Sequence, residues 1–154
     1  MILYNLFPLL AGSFNRWQPH LERAREMGFD WVYINPIQRT GNSGSLYSIA
    51  DYFQLNPALL NAGDPTTPDE QCRAMIAKAH ASGLKLMIDL VINHSAYDSP
   101  LVREHPEWFV KEPGGRIANA SCQHGSERMV WSDLAQFDHR HTKDQEGSRT
   151  NGKS

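Results

Sequence analysis

A carboxylate, an amide and an imidazole lie close together where an apolar stretch of the sequence ends. Residues 84–94 read LKLMIDLVINH and include Asp89, Asn93 and His94. If this stretch is a strand, alternation points Asp89 and Asn93 one way and His94 the other. Such groups can bind a polar ligand or satisfy the backbone of nearby loops. The residue types alone leave both open: a binding site, or a buried Asp and Asn that hold loop amides.

Other residues whose side chains could bind a metal or take part in catalysis are less well placed. His139 and His141 have a spacing found in metal sites, and Cys122 and His124 are near in sequence. No regular element is predicted to fix their geometry, so we predict no metal there. No serine or cysteine stands in a nucleophile context such as G-x-S-x-G.

Three apolar segments predict the strands that would position the polar cluster. They are Ile2–Phe7, Phe29–Asn35 and Leu84–Val91. Near-continuous apolar runs of this length are typical of strands buried on both faces. The third segment ends at the Asp, Asn and His described above.

Two helices are predicted between these strands. Trp17, Leu21 and Ala24 recur at helical spacing, and Gly28 follows where a helix would end. The second helix begins at the capping box formed by Thr67 and Glu70, with Pro68 at the first helical position. Its apolar positions repeat at i, i+3, i+4 and i+7, namely Cys72, Met75, Ile76 and Ala79.

The resulting β-α-β-α-β order predicts parallel strands joined by right-handed crossovers, with ligands at the carboxyl ends of the strands. A doubly wound sheet and a (β/α)8 barrel both begin in this way. A long loop is predicted from Asn35 to about Thr66, and the polar region 92–141 is either an elaborated loop or a small subdomain. The last residues have no apolar side chain, so we expect a disordered tail at 148–154.

The composition excludes several classes of protein. The chain has 154 residues, is 40% hydrophobic and has a formal net charge of −2. No two Lys or Arg residues are adjacent, so a nucleic-acid partner is not predicted. No apolar stretch approaches the roughly 20 residues of a membrane span, and the N-terminus does not resemble a signal peptide. We therefore expect a cytoplasmic protein in which Cys72 and Cys122 are reduced.

Three segments resemble the alpha-amylase clan of glycoside hydrolases and transferases, glycoside hydrolase family 13. Residues 89–94, DLVINH, are similar to the clan's D-x-x-x-N-H at the end of barrel strand three. Residues 44–52, GSLYSIADY, resemble the G-Y-x-x-x-D-Y loop after strand two. Residues 27–37, MGFDWVYINPI, are similar to the passage from helix one into strand two. The resemblance covers about Ile2 to Gly147.

The resemblance implies roles for five residues. Tyr47 matches the tyrosine that stacks on the sugar at the cleavage subsite, and His94 matches the histidine that bonds a sugar hydroxyl there. Asp89, Asn93 and Asp51 match groups that hold the strand end and the loop. The asparagine binds calcium in some relatives, but one amide oxygen is not a calcium site, so we predict neither a metal nor a cofactor.

The resemblance also implies a fold, and it implies that this chain does not contain the catalytic nucleophile. A complete barrel needs roughly 250 residues, so we expect an incomplete (β/α)8 barrel: its first three strands, their helices and the long loop after strand three, within residues 1–147. The clan's retaining chemistry uses an aspartate nucleophile and a glutamate acid/base, about 5–5.5 Å apart. The nucleophile motif G-x-R-x-D is absent from this sequence, so we assign no catalytic residue.

The implied function is that of a parent enzyme that hydrolyses or transfers α-1,4-glucosyl units in α-glucans or maltooligosaccharides. This chain would carry part of the sugar-binding face and be inactive alone. Residues 99–109, SPLVREHPEWF, are similar to clan members that transfer maltosyl units from maltose 1-phosphate, so hydrolysis and transfer both remain open. The alternatives are a non-catalytic glucan-binding or interaction module, and a small complete α/β enzyme of another class.

Overall fold

The computed structural model describes residues 1–140, which divide into two units. The first unit comprises Met1–Arg39 and Tyr52–Leu90, and the second comprises Thr40–Asp51 and the described residues from Val91 onward. The tail predicted at 148–154, the predicted boundary at Gly147 and the candidate His141 lie outside the described residues.

Eight strands and four α-helices occur in the described part of the chain. In chain order they are β1 (Leu3–Leu6), α1 (Pro8–Ala11), α2 (Gln18–Glu26), β2 (Trp31–Ile34), β3 (Gln38–Thr40), β4 (Ile49–Leu55), α3 (Pro68–Ala81), β5 (Lys85–Ile88), β6 (His94–Ala96), α4 (Pro100–Glu104), β7 (Asn119–His124) and β8 (Glu127–Gln136). None of the helices over residues 1–140 has the length and hydropathy needed to span a bilayer.

The first unit is built on a parallel sheet of three strands in the order β1-β2-β5. The predicted parallel arrangement is confirmed, but each strand is shorter at both ends than the apolar run that predicted it. The central strand β2 limits the ladder, because Ile34 is its last residue and pairs with Ile88, the last residue of β5. The prediction that the third strand reaches Val91 is therefore wrong.

Helices α2 and α3 pack against one face of this sheet. Alternate strand residues, including Val32 and Ile34, are buried with helical residues in one apolar core. The buried helical members are Leu21 and Ala24 of α2 and Met75 and Ala79 of α3. Cys72 and Ile76 are only partly buried at the edge of this core. Both predicted helices are thus confirmed, on the same side of the sheet.

The capping box predicted for α3 is present. The Thr67 hydroxyl accepts a hydrogen bond from the Glu70 backbone N–H, and the Glu70 carboxylate accepts from the Thr67 backbone N–H. These two bonds satisfy donors that a helix N-terminus otherwise leaves unpaired. The sequence therefore sets the start of this helix locally.

The predicted long loop between Asn35 and Thr66 contains regular structure. Strands β3 and β4 form a two-stranded sheet, and a 3-10 turn follows at Pro57–Leu59. The Asn56 side chain accepts a hydrogen bond from the Ala58 backbone N–H and caps that turn. The segment is ordered because its backbone groups find partners of this kind.

The second unit is a small subdomain, which decides between the two readings of region 92–141. Its antiparallel sheet has the order β6-β8-β7. Phe109, Ile117 and Ala135 form its apolar core, with Phe137 stacked on Phe109 at 4.8 Å between ring centroids.

Candidate functional site

Tyr47 and His94 meet within the second unit. His94 Nε2 lies 3.0 Å from the backbone carbonyl oxygen of Tyr47. A carbonyl oxygen only accepts hydrogen bonds, so Nε2 carries the proton and donates. His94 Nδ1 is buried, whereas 39% of the surface of Tyr47 is exposed. The pair therefore consists of a histidine that contacts the loop backbone and a tyrosine that faces solvent.

The exposure of Tyr47 follows from its two neighbours. Leu46 is 2% exposed and Ser48 is fully buried, so the chain is anchored on both sides of the tyrosine. The Ser48 carbonyl accepts a hydrogen bond from Gly41 N–H at 2.8 Å, which closes the turn. Tyr47 consequently sits on a tethered turn.

Three side-chain hydrogen bonds within the second unit hold this turn. Asp98 Oδ2 accepts a hydrogen bond of 3.0 Å from the Asn42 backbone N–H. Ser99 Oγ donates to the Ala50 carbonyl at 2.7 Å. Ser48 Oγ contributes a longer bond of 3.4 Å to a backbone carbonyl of β8. These bonds constrain the segment on both sides of Tyr47.

Gly41 permits a close approach that a larger residue would prevent. A Cβ placed on Gly41 would fall 2.6 Å from the Ala96 Cβ, closer than real Cβ atoms approach. It would also overlap the Asp98 carboxylate. The turn can therefore pack against β6 and Asp98 only because residue 41 has no side chain.

Asn93 ties the start of β6 to the end of β8. Its Oδ1 accepts from Gln136 Nε2 at 3.3 Å, and its backbone carbonyl accepts from the Phe137 N–H at 3.1 Å. Nearby, His139 Nε2 donates to the Ile92 carbonyl at 2.9 Å. These contacts hold the backbone next to His94.

Asp89 and Asp51 are both half-buried. The Asp89 backbone N–H donates to the Ile34 carbonyl at 2.8 Å, at the carboxyl end of the parallel sheet. Asp51 lies in β4, next to Tyr52, and burial raises the pKa of the Tyr52 phenol. The predicted alternation of Asp89, Asn93 and His94 is wrong, because β5 ends at Ile88 and strand geometry stops there.

The sequence did not single out Asp98, Ser99 or Gln136. Ser99 precedes Pro100 at the start of α4, and its side chain accepts from the Leu101 N–H as an N-cap. A Ser-Pro pair before an apolar residue is a helix-start signal that could have identified Ser99. Asp98 has no comparable signal, since its partner Asn42 is 56 positions away.

The arrangement is suited to binding. An exposed phenol ring on a tethered turn offers a flat apolar surface with a polar tip. Asp138 could supply a carboxylate, but it forms two bonds with the Arg140 guanidinium, at 3.1 and 3.2 Å.

Comparison with known proteins places these features in a family. Residues 2–111 match the model of the glucanotransferase domain of glycogen debranching enzyme. The alpha-1,4-glucan:maltose-1-phosphate maltosyltransferase of Arcanobacterium haemolyticum is 31% identical over 124 residues, which cover 71% of this chain and 18% of that enzyme.

Solved structures with related sequences show the same fold. An alpha-amylase from Lactobacillus plantarum superposes with a TM-score of 0.72 at 30% identity, covering 91% of this chain and 32% of the amylase. A maltogenic alpha-amylase from Thermotoga neapolitana gives a TM-score of 0.75 at 27% identity, covering 97% of this chain and 34% of that one. The chain thus spans less than a fifth of the maltosyltransferase and about a third of each amylase.

Proposed function

We propose a function from the premise that this chain belongs to the family of the glucanotransferase domain of glycogen debranching enzyme, an alpha-amylase-type family. We infer that it forms the first three strands of a (β/α)8 barrel, with their helices and the insertion after the third strand. The parallel order β1-β2-β5, with both helices on one face, supports this inference. The similarity to two amylase structures over more than nine-tenths of the chain supports it as well.

The activity we propose for the whole enzyme is hydrolysis or transfer of α-1,4-glucosyl units in α-glucans or maltooligosaccharides. The names of the matching family and of the Arcanobacterium relative both denote transfer, which favours a transferase. The share of this chain in that activity is substrate binding. The sequence contains no G-x-R-x-D motif, so the proposed nucleophile is not among these residues.

The observation that carries the proposal is the exposed Tyr47 ring beside His94. Both residues lie in segments that match clan motifs, and the structure joins them by a 3.0 Å contact. We propose that the ring stacks on one glucose unit and that His94 completes this substrate-binding pair. Asn93 holds the backbone next to His94, and we propose that Asp51 holds the loop and Asp89 the strand end.

A titration of the 154-residue chain with maltoheptaose tests the proposal. We expect saturable shifts of the Tyr47 ring resonances by NMR, with cellohexaose as the matched β-1,4-linked control. A stacking site with neighbouring hydrogen bonds should distinguish the two linkages, because they present the sugar faces differently. Equal shifts with both sugars, or none with either, would contradict the proposal and favour an interaction module.

A further inference from the structure

Given the proposed function, on which this inference rests, we propose that Trp108 and His105 form a second glucan-binding surface in the second unit. Both residues belong to the segment 99–109, and neither takes part in the contact between Tyr47 and His94. The indole of Trp108 receives one glucose unit, and His105 holds the indole in place.

The two aromatic rings form a parallel stack. Their centroids are 3.9 Å apart and their planes differ by 6°. The imidazole covers one face of the indole, yet 44% of Trp108 remains exposed, as does 41% of the His105 side chain. An exposed indole offers a flat apolar surface on which the C–H face of a pyranose can stack.

Hydrogen bonds fix this stack without a ligand. His105 Nδ1 lies 3.2 Å from a carboxylate oxygen of Glu107, and because a carboxylate only accepts, Nδ1 carries the proton and donates. The Trp108 N–H donates to the His105 carbonyl at 3.0 Å, and the Trp108 carbonyl accepts from the Asp138 N–H at 2.8 Å. A ligand that binds an already ordered ring loses less affinity to the ordering of side chains.

The size of this surface and its polar edge favour a sugar over a protein partner. Within residues 100–109, Trp108 is the one large apolar side chain that is exposed. A stable protein interface buries about 800 Å² on each partner, which is far more than one indole provides. Beside the stack, the exposed carboxylate of Glu107 can accept hydrogen bonds from sugar hydroxyls.

NMR of the indole N–H groups follows Trp108 directly while maltoheptaose is added to the 154-residue chain. The Trp108 Nε1–H resonance, assigned by its loss in Trp108→Phe, should shift until the site is saturated. Trp131 is the matched control, because it is exposed to a similar extent, 41%, in β8. Its resonance should not respond to the sugar.

Variants separate the two surfaces and test the task of His105. In Tyr47→Ala the Trp108 resonance should still shift, with an unchanged dissociation constant. We expect His105→Ala to weaken binding at Trp108 roughly three- to tenfold, because the freed indole has to be ordered again when the sugar binds. His105→Phe retains a stacked ring and should restore most of the affinity, whereas His124→Ala, at the exposed end of β7, should change nothing.

The possible outcomes distinguish this surface from the proposed function. A response of the Tyr47 ring without one at Trp108 would refute the second surface and leave the proposed function standing. A response at Trp108 without one at Tyr47 would support the second surface and refute the role of Tyr47. Equal shifts at Trp108 and Trp131, or a Trp108 shift that follows protein concentration instead of sugar, would refute a glucan site and indicate non-specific contact or self-association.

Discussion

The Ser99 hydroxyl donates a 2.7 Å hydrogen bond to the Ala50 carbonyl, across 49 positions of sequence. The same oxygen accepts a 3.3 Å bond from the Leu101 backbone N–H and so caps helix α4. Ser99 is 1% exposed, so water cannot readily replace it. One small side chain therefore links the start of a helix to the segment that carries Tyr47.

Replacing Ser99 with alanine should destabilise the second unit. The substitution removes an N-cap and leaves the Ala50 carbonyl without this donor, so we expect the free energy of unfolding to fall by about 1–2 kcal/mol. Urea denaturation measures the change. Ser43→Ala removes an exposed hydroxyl in the same segment and should change the free energy little. Equal stability of the two variants would show that the Ser99 bond contributes nothing.

Gly41→Ala should loosen the turn that carries Tyr47. The new methyl group would overlap the Asp98 carboxylate and the Ala96 side chain, so the turn has to move away from β6. We expect a lower melting temperature and faster hydrogen exchange at residues 42–48. Asn42→Ala is the control, because it alters an exposed side chain and retains the backbone N–H that donates a hydrogen bond to Asp98. Unchanged exchange in Gly41→Ala would contradict the tight contact.

Glu70 should make the first unit sensitive to acid. Hydrogen bonds from the Thr67 backbone N–H, and then from its hydroxyl, hold the pKa of Glu70 below its ordinary value. A lowered folded-state pKa stabilises the fold above the unfolded-state pKa, near 4.3, and this stability is lost as the pH falls through the folded value.

We therefore expect the wild-type melting temperature to drop below about pH 4, and Glu70→Gln to reduce that drop. Glu26→Gln serves as the control for removal of one negative charge, since Glu26 is exposed at the end of α2. Identical pH profiles for the wild type and Glu70→Gln would show that the capping bonds do not depend on the charge of this carboxylate.

The sequence predicted those features that are encoded locally. The Thr67–Glu70 capping box spans four consecutive residues, and the apolar runs around Val32 and Leu86 identify strands without any knowledge of their partners. Strand ends were harder to place, since β5 stops where its neighbour β2 stops. That limit depends on a pairing between residues 54 positions apart, such as Ile34 and Ile88.

The same distinction between locally encoded features and long-range contacts applies to the candidate site. Tyr47 and His94 were found because each lies in a recognisable motif. Their contact could not be predicted, since it joins the His94 ring to a backbone carbonyl 47 positions away. Asp98 was not predicted for a related reason. Its partner is the Asn42 backbone N–H, and because every residue except proline has such a group, the residue types do not reveal which one Asp98 contacts.

The isolated 154-residue polypeptide should lack turnover. The proposed retaining chemistry needs a nucleophile and an acid at fixed separation, and such groups lose nearly all activity when one is missing. Incubation with maltoheptaose, followed by chromatography, should show no shorter or longer oligosaccharides. New products that are absent with a Tyr47→Ala variant would contradict this expectation and would direct attention to Asp133 and Asp138.

The central claim, that Tyr47 is the glucan-stacking residue of this chain, is tested most directly by calorimetric affinities of Tyr47→Phe and Tyr47→Ala for maltoheptaose. Phenylalanine keeps the aromatic face, so its affinity should stay within about twofold of the wild type. Alanine removes the face and should weaken binding about five- to tenfold, because an aromatic contact contributes roughly 1 kcal/mol. Wild-type affinity in Tyr47→Ala, or equal losses in both variants, would contradict the account.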